Sequence, residues 1–206
     1  MQNQSTGGPS RVPLGQRIGQ ALLRLTGWTA GPFPDIDRAV IAGGPHTSNW
    51  DGVLALVSRS ALQKDVNVMI KSSLFKGPLG VLLRKLGAMP IERGKAGGMV
   101  EQTVVAFAER EKLLIAVTPE GTRSNADQWK LGFYHIARQA KVPIILALAD
   151  YQEKTFSFPV VIYPSDDMEA DLQQIYQHFA GVTPRHVDKL SAPVCAAKAA
   201  SATGAD

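Results

Sequence analysis

Short apolar runs that alternate with stretches of helical periodicity constrain the fold of this chain more than any other feature. Strands are predicted over residues 38–42, 66–70, 89–91, 113–117, 143–148 and 155–163. Helical patterns occupy residues 50–60, 78–86, 98–111, 132–141 and 168–179. Strands that alternate with crossover helices form a largely parallel sheet with helices on its faces. The connection between the last two strands is too short for such a helix, so these strands are predicted to form an antiparallel hairpin.

The expected fold is a single α/β domain over residues 11–190, with a mostly parallel central sheet flanked by helices. The ends of the chain lack the alternating pattern: residues 1–10 are small and polar, and residues 191–206 are rich in Ala and Ser. Both ends are therefore predicted to be flexible. The start shows no signal peptide, and no apolar run approaches the roughly 20 residues that span a bilayer. A cytoplasmic protein, peripheral to the inner face of the membrane, is expected.

An amphipathic helix is predicted over residues 12–28. Its apolar positions recur at helical spacing and comprise Leu14, Ile18, Ala21, Leu22 and Leu25. The favoured interpretation is that this apolar face covers the core, because only two Arg residues decorate the helix. The alternative is a helix that lies in the interface of a membrane.

The charge of the chain favours anionic partners, because 22 Lys and Arg exceed 18 Asp and Glu. Nucleic acid is disfavoured, since the basic residues are not interleaved with aromatic ones. The single Cys195 excludes a Cys-rich metal site, and His135, His178 and His186 lack metal-ligand spacing. Neither a metal nor a cofactor is expected. The chain also lacks the glycine motifs of nucleotide-binding loops and the G-x-S-x-G motif of serine hydrolases.

The segment HTSNWD places His46 five residues before Asp51, between a predicted strand and a predicted helix. Deprotonation of a hydroxyl at neutral pH needs a base such as imidazole, and a carboxylate on the far ring nitrogen fixes its tautomer. Five residues on a continuous helix would turn the two side chains apart, so the helix is predicted to begin between them. Two other readings stay open: Asp51 as a capping residue for Ser48, and His46 as a hydrogen-bonded turn residue.

The segment PEGTRS, residues 119–124, follows the predicted strand at 113–117 and supplies a carboxylate, a guanidinium and two hydroxyls. In an open α/β sheet, ligands gather at the carboxyl ends of the strands. His46 and Glu120 both follow such ends, so the two segments are predicted to converge on one cleft. The alternative for Glu120 is a loop carboxylate that pairs with Arg123 to hold the turn.

Together, HTSNWD and PEGTRS resemble the glycerolipid acyltransferase family, typified by 1-acylglycerol-3-phosphate acyltransferases with an H-x4-D signature. Residues 87–93, GAMPIER, are similar to the family's second block, and residues 142–145, VPII, to its fourth. The four blocks occur in the family's order, and weaker similarity extends over residues 28–180. The chain departs from the family at Pro45, Pro90 and Thr118, which are positions expected to shape the acceptor pocket.

The resemblance implies direct acyl transfer from a thioester to an alcohol, with His46 as general base and Asp51 as the residue that orients it. The implied acceptor is a lysophospholipid or a glycerol phosphate, and the implied donor is acyl-CoA or acyl carrier protein. The residues that match the family's acceptor site are Arg93, Glu120, Gly121, Thr122 and Arg123. Arg93 could instead be a solvated surface charge.

Residues 71–95 combine Leu and Phe with six Lys and Arg, a composition that could seat a fatty chain at a charged membrane surface. A core helix with solvated cations is the alternative. Two other functions remain open for the chain as a whole. One is thioester hydrolysis, and the other is a peripheral module that binds phospholipids without turning them over.

Overall fold

The computed structural model describes residues 12–85, 87–92 and 98–203. Within them lie eight strands: β1 (Thr29–Ala30), β2 (Arg38–Gly44), β3 (Val66–Lys71), β4 (Ala88–Ile91), β5 (Leu113–Val117), β6 (Ile144–Asp150), β7 (Thr155–Ser157) and β8 (Val161–Ile162). The same residues form seven α-helices: α1 (Leu14–Thr26), α2 (Asn49–Leu62), α3 (Gly77–Lys85), α4 (Gly98–Ala108), α5 (Gly132–Ala140), α6 (Met168–Ala180) and α7 (Ala192–Thr203). Two short 3₁₀ helices span Ser72–Leu74 and Val187–Lys189.

The strands form one sheet in the order β1-β7-β6-β2-β5-β3-β4, with β8 also paired to β6. The five strands from β6 to β4 run parallel, while β7 and β8 pair antiparallel with β6. The predicted α/β fold with its antiparallel hairpin is therefore confirmed. Strand β2 lies at the centre between β5 and β6, so three carboxyl ends meet where the chain leaves β2.

The last strand of the predicted hairpin is interrupted, because residues 155–163 form two short strands rather than one. Pro159 lies in the gap and has no N–H to donate to β6. A ladder bond crosses this gap, from the N–H of Leu146 to the carbonyl of Val160. Strand β1 was not predicted from the sequence; it has two residues and pairs with β7.

Two hydrophobic clusters lie on opposite faces of the sheet. One face packs against α4, α5, α6 and α7 and buries large side chains, including Phe107, Phe133, Tyr134 and Phe179. The other face packs against α1 and α2 and is lined by smaller side chains, including Ala39, Ala61 and Ala147. We call these the filled face and the open face.

The flexible tail predicted over residues 191–206 is wrong for most of its length. Residues Ala192–Thr203 form α7, which packs against α6 and buries Val194 and Ala197 on the filled face. An Ala-rich helix offers few large apolar residues, so its periodicity is hard to see in the sequence. The segment 1–10, also predicted to be flexible, lies outside the described residues.

Helix α1 is formed as predicted, but its apolar stripe does not cover the core. Leu14, Ile18, Leu22 and Leu25 are 44–83% exposed. The helix instead packs on α2 through Gly19, where a Cβ would meet the backbone N of Ala61 at 2.6 Å. The favoured interpretation of this helix is thus corrected: the apolar stripe faces outward.

Candidate active site

The helix that carries Asp51 begins between His46 and Asp51, as predicted. Ser48 is the N-cap of α2 with an extended backbone, and its hydroxyl accepts the N–H of Trp50 at 3.2 Å. Asp51 completes the capping box by accepting the N–H of Ser48 at 2.8 Å. Asn49 starts the helix, so His46 stays on the extended turn that precedes it. This break in the helix lets two side chains five residues apart face each other.

The Asp51 carboxylate accepts hydrogen bonds on both oxygens. Its Oδ2 lies 3.2 Å from Nδ1 of His46 and 2.8 Å from the N–H groups of Thr47 and Ser48. Its Oδ1 accepts the hydroxyl of Tyr151 at 2.6 Å. Burial by itself would raise the pKa of Asp51, but these four hydrogen bonds outweigh it and hold the pKa below its usual value. Capping and contact with His46 therefore coexist in one carboxylate.

The geometry defines the tautomer of His46. Because Asp51 is an acceptor, the neutral tautomer that fits this contact has its proton on Nδ1 and its lone pair on Nε2. The side chain of His46 is 20% exposed and lines a cavity of about 1010 Å³. A neutral imidazole with its Nε2 free is the state that a general base requires.

The predicted convergence of the two segments is observed at Glu120. This residue follows β5, the neighbour of β2, and its Oε2 accepts the backbone N–H of His46 at 2.9 Å. Its side chain is buried, and no residue that the structure describes hydrogen-bonds to its Oε1. Burial raises the pKa of Glu120 to about 7. The alternative pairing with Arg123 is not formed, since Arg123 donates to Oδ1 of Asn49.

The other residues predicted for the acceptor site occupy different positions around this loop. Gly121 lines the cavity with a φ of 66°, and a Cβ there would lie 2.8 Å from the side chain of Lys130. Thr122 is exposed, and its hydroxyl lies 3.1 Å from that of Ser124. Arg123 is exposed over the first turn of α2 rather than in the cavity wall. The predicted contribution of Arg93 lies outside the described residues.

The cavity has a volume of about 1010 Å³ and extends from His46 along the open face beneath α2. Near the PEGTRS loop its wall also includes Met99 of α4 and Phe133 of α5, which belong to the filled side of the sheet. Small side chains leave this space free: Ala116, Ala147 and Ala149 point into it from β5 and β6. Aromatic side chains, Phe33, Phe156 and Phe158, also line it. Pro45 and Thr118, two of the three departures from the family pattern, belong to its wall, whereas Pro90 does not.

Three residues near the site had no role in the sequence-based prediction. Tyr151 follows β6 at the same sheet edge as His46, a position that the rule of strand carboxyl ends could have indicated. Lys130 lines the cavity beside Gly121. Arg185 lies in the loop after α6, with its guanidinium 5.5 Å from the ring of Trp50 and 5.9 Å from that of Tyr151. No local pattern in the sequence marks Arg185.

Across the residues that the structure describes, no group of three or more His, Cys, Asp or Glu side chains could hold a metal ion. The groups that donate to the Asp51 carboxylate are two backbone N–H groups, the phenol of Tyr151 and the imidazole of His46. Such a set suits proton transfer by the histidine. None of the helices in the described ranges is long and apolar enough to cross a membrane.

Comparison with known proteins shows the family and the fold of the chain. The family model described as Acyltransferase matches residues 31–147, which is more than half of the chain. The chain therefore belongs to the acyltransferase family. Its fold is similar to the crystal structure of the 1-acyl-sn-glycerophosphate (LPA) acyltransferase PlsC from Thermotoga maritima, with a TM-score of 0.54 at 13% identity over 78% of this chain and 73% of that one. No curated protein sequence matches the chain.

Proposed function

We propose that this acyltransferase moves a fatty acyl group from a thioester donor to the hydroxyl of a lysophospholipid or a glycerol phosphate. The observation that carries the proposal is the placement of His46. Its ring is fixed by Asp51 at 3.2 Å and opens onto an apolar cavity of about 1010 Å³. The T. maritima protein of similar fold, an acyltransferase for 1-acyl-sn-glycerophosphate, supports a glycerolipid acceptor.

The proposed chemistry needs no covalent enzyme intermediate. Nε2 of His46 accepts the proton of the acceptor hydroxyl while the oxygen attacks the carbonyl carbon of the thioester. The C–S bond then breaks, and the imidazolium returns the proton to the leaving thiolate. The products are an ester and a free thiol, and the imidazole is restored. Asp51 keeps the ring oriented and stabilises the imidazolium, which is the role of the aspartate in a serine-protease triad.

The open face supplies the binding site for an acyl chain in this proposal. Burial of apolar surface contributes about 25 cal/mol per Å², or roughly 0.8 kcal/mol for each methylene group. A cavity lined by alanines and phenylalanines next to the base can therefore hold the chain while the carbonyl stays near Nε2. Either acyl-CoA or acyl carrier protein could present such a thioester.

The polar rim of the cavity supports a phosphate-bearing acceptor. Lys130 lines the cavity at the PEGTRS loop, and no described carboxylate lies within 4 Å of its ammonium group. Arg123 extends the positive charge of this rim. An ammonium group and a guanidinium are the side-chain groups that bind phosphate oxygens best. We assign Lys130 to the acceptor phosphate together with the predicted Arg123 and Arg93.

Contact with the membrane surface is part of the same proposal. The exposed stripe of α1 belongs to a segment of the sequence, residues 12–85, that carries a net positive charge: it contains nine Lys and Arg but four Asp and Glu. Residues 98–203, in contrast, contain ten Lys and Arg and twelve Asp and Glu. An apolar helix face within a basic region suits the anionic inner face of a membrane. The protein would work there as a peripheral protein, close to lipid acceptors.

Vesicle sedimentation tests the membrane contact. The chain should bind vesicles of phosphatidylglycerol more tightly than vesicles of phosphatidylcholine, and Ile18→Ser combined with Leu25→Ser should weaken that binding. Val105→Ser is the control, because Val105 at 50% is about as exposed as Ile18 at 51% but lies on α4. Equal binding by the double variant and the wild type would contradict a role for α1.

Product analysis by mass tests the proposed reaction. The purified chain should be incubated with isotope-labelled acyl-CoA or acyl carrier protein and with matched acceptors: lysophosphatidate, glycerol 3-phosphate, and glycerol without a phosphate. We expect an ester that depends on the acceptor and forms fastest with a phosphorylated one. Release of free fatty acid at the same rate without acceptor would make the protein a thioester hydrolase. Vesicle binding without any turnover would make it a lipid-binding module.

A further inference from the structure

The two oxygens of the Asp51 carboxylate have unequal support. Oδ2 accepts three donors, whereas Oδ1 has one partner among the described residues, the hydroxyl of Tyr151 at 2.6 Å. An O–H···O⁻ distance of this size is typical of the stronger, charge-assisted hydrogen bonds. Asp51 is buried, so Oδ1 would be left without a donor if the phenol were removed.

Tyr151 is held in place by contacts on several sides. Its ring packs edge-on against Trp28 with the centroids 5.0 Å apart, and the guanidinium of Arg185 lies over the same ring. Its backbone N–H donates to the carbonyl of Thr183 at 2.8 Å. Burial raises the pKa of Tyr151, and the bond to Asp51 raises it further, so the hydroxyl remains a donor at neutral pH.

The position of Tyr151 in the fold explains how it reaches Asp51 across 100 residues of sequence. It follows β6, which pairs with β2, and β2 leads to the turn that carries His46. The hydroxyl thus approaches the carboxylate from the side opposite to the turn. Together the turn and the phenol fix both oxygens, which leaves the carboxylate no free rotation about its Cβ–Cγ bond.

We infer that Tyr151 is a positioning residue, whose hydroxyl holds the Asp51 carboxylate in the orientation that directs Oδ2 at His46. This inference rests on the proposed function, in which His46 is the general base. Tyr151 does not touch the cavity or the reacting atoms; it acts through Asp51. The relay therefore has three members that come from the turn after β2, the first turn of α2 and the turn after β6.

Loss of the phenol should change both the orientation and the charge distribution of Asp51. A carboxylate that loses a donor becomes more basic, and a more basic carboxylate stabilises the imidazolium form of His46. The acidic limb of the pH profile for kcat/KM should therefore move to higher pH. The other charged or titratable groups in contact with this relay are Glu120, at the backbone of His46, and Arg185, over the ring of Tyr151. Removing the hydroxyl leaves the bond from the backbone N–H of His46 to Glu120 in place, but it also removes the side-chain contact of Arg185 with that hydroxyl.

The chain offers a matched control for the substitution Tyr151→Phe. The hydroxyl of Tyr134 donates to Oδ2 of Asp171 at the same distance, 2.6 Å, but this pair lies on the filled face, away from His46. Tyr134→Phe and Tyr151→Phe should both lower Tm by similar small amounts. Only Tyr151→Phe should lower kcat, by about tenfold, with KM little changed. Its acidic limb should move up by about half a pH unit.

A second readout does not depend on activity. An NMR titration of the ¹⁵N-labelled imidazoles, with the His46 signal assigned by its loss in His46→Ala, reports the ring directly. We expect the His46 titration to move to higher pH in Tyr151→Phe and to stay unchanged in Tyr134→Phe. If the variants give that NMR result but the wild type transfers no acyl group, the positioning role is sustained and the proposed function is rejected. Wild-type kcat and an unchanged titration in Tyr151→Phe, or the same changes in Tyr134→Phe, would overturn the inference.

Discussion

The two faces of the sheet differ in how completely they are packed, and the difference can be read along a single strand. On β6, Ile144, Leu146 and Leu148 point to the filled face, where they meet the aromatic residues of the helices. The alternate residues, Ile145, Ala147 and Ala149, point to the open face, where two alanines border the cavity. One face stabilises the fold, while the other leaves space for a ligand next to His46.

This comparison shows where stability and activity are separated in the molecule. Side chains on the filled face interdigitate with four helices, so changes of volume there should affect folding. The open face is less completely packed beneath α2, where the cavity lies. Changes of volume there should affect which ligand fits.

The largest effect is expected from Asp51→Asn at the edge of the open face. An amide accepts only through its oxygen, so either Nδ1 of His46 or the hydroxyl of Tyr151 would face an NH₂ group instead of an acceptor. We expect kcat to fall by roughly 10² to 10⁴. Asp171→Asn is the control on the filled face, since Asp171 accepts from Tyr134 without touching the site. Equal losses of activity in the two variants would mean that Asp51 acts only through folding.

Leu146→Ala should lower the stability of the fold by leaving a cavity on the filled face. Leu146 is fully buried, and loss of a large side chain in a packed core costs about 2–5 kcal/mol because a cavity remains. Urea unfolding should show a lower midpoint, while kcat per folded molecule and the preference for acyl chain length stay those of the wild type. A changed chain-length preference would mean that the two faces are not independent.

Glu120→Gln should remove the pH dependence of the unfolding free energy that Glu120, next to the cavity, causes. The pKa of Glu120 is raised to about 7 from an ordinary value of 4.5, so the folded state retains a proton that the unfolded state loses. This contribution to stability is present below pH 4.5 and is lost as the pH rises through 7. The variant should match the wild type near pH 4.5 and become relatively more stable by roughly 2–3 kcal/mol above pH 7. A difference in unfolding free energy that is constant from pH 4.5 to 8 would contradict a buried, protonated Glu120.

The smallest effect is expected from Ala147→Leu, one residue along β6 from Leu146. The added side chain enters the cavity, so stability should change little. The value of kcat/KM should fall about tenfold for long-chain thioesters and remain unchanged for short ones, because only long chains reach that depth. A uniform loss over all chain lengths would show that the acyl chain does not occupy the open face.

The sequence predicted the features of this fold that depend on local patterns. Strand β5 was predicted with its observed bounds, Leu113–Val117, because a continuous apolar run marks a buried parallel strand. The start of α2 between His46 and Asp51 followed from helix geometry and from the capping residue Ser48. The convergence of His46 and Glu120 followed from the rule of strand carboxyl ends.

The remaining features depend on contacts between distant segments, which a single sequence does not reveal. The bond from Tyr151 to Asp51 requires the pairing of β6 with β2. The exposure of Leu25 on α1 depends on which side of that helix meets α2, and the close approach at Gly19 decides it. Helical periodicity alone predicts an apolar face but not the partner of that face.

The role of His46 as the general base next to the cavity on the open face can be measured by single-turnover kinetics. Single-turnover transfer of a labelled acyl group should be compared in the wild type and in His46→Ala, with Tm recorded for both. If His46 is the base, the rate should fall by at least about 10² while Tm stays nearly unchanged. Transfer at the wild-type rate by a folded His46→Ala would contradict that role.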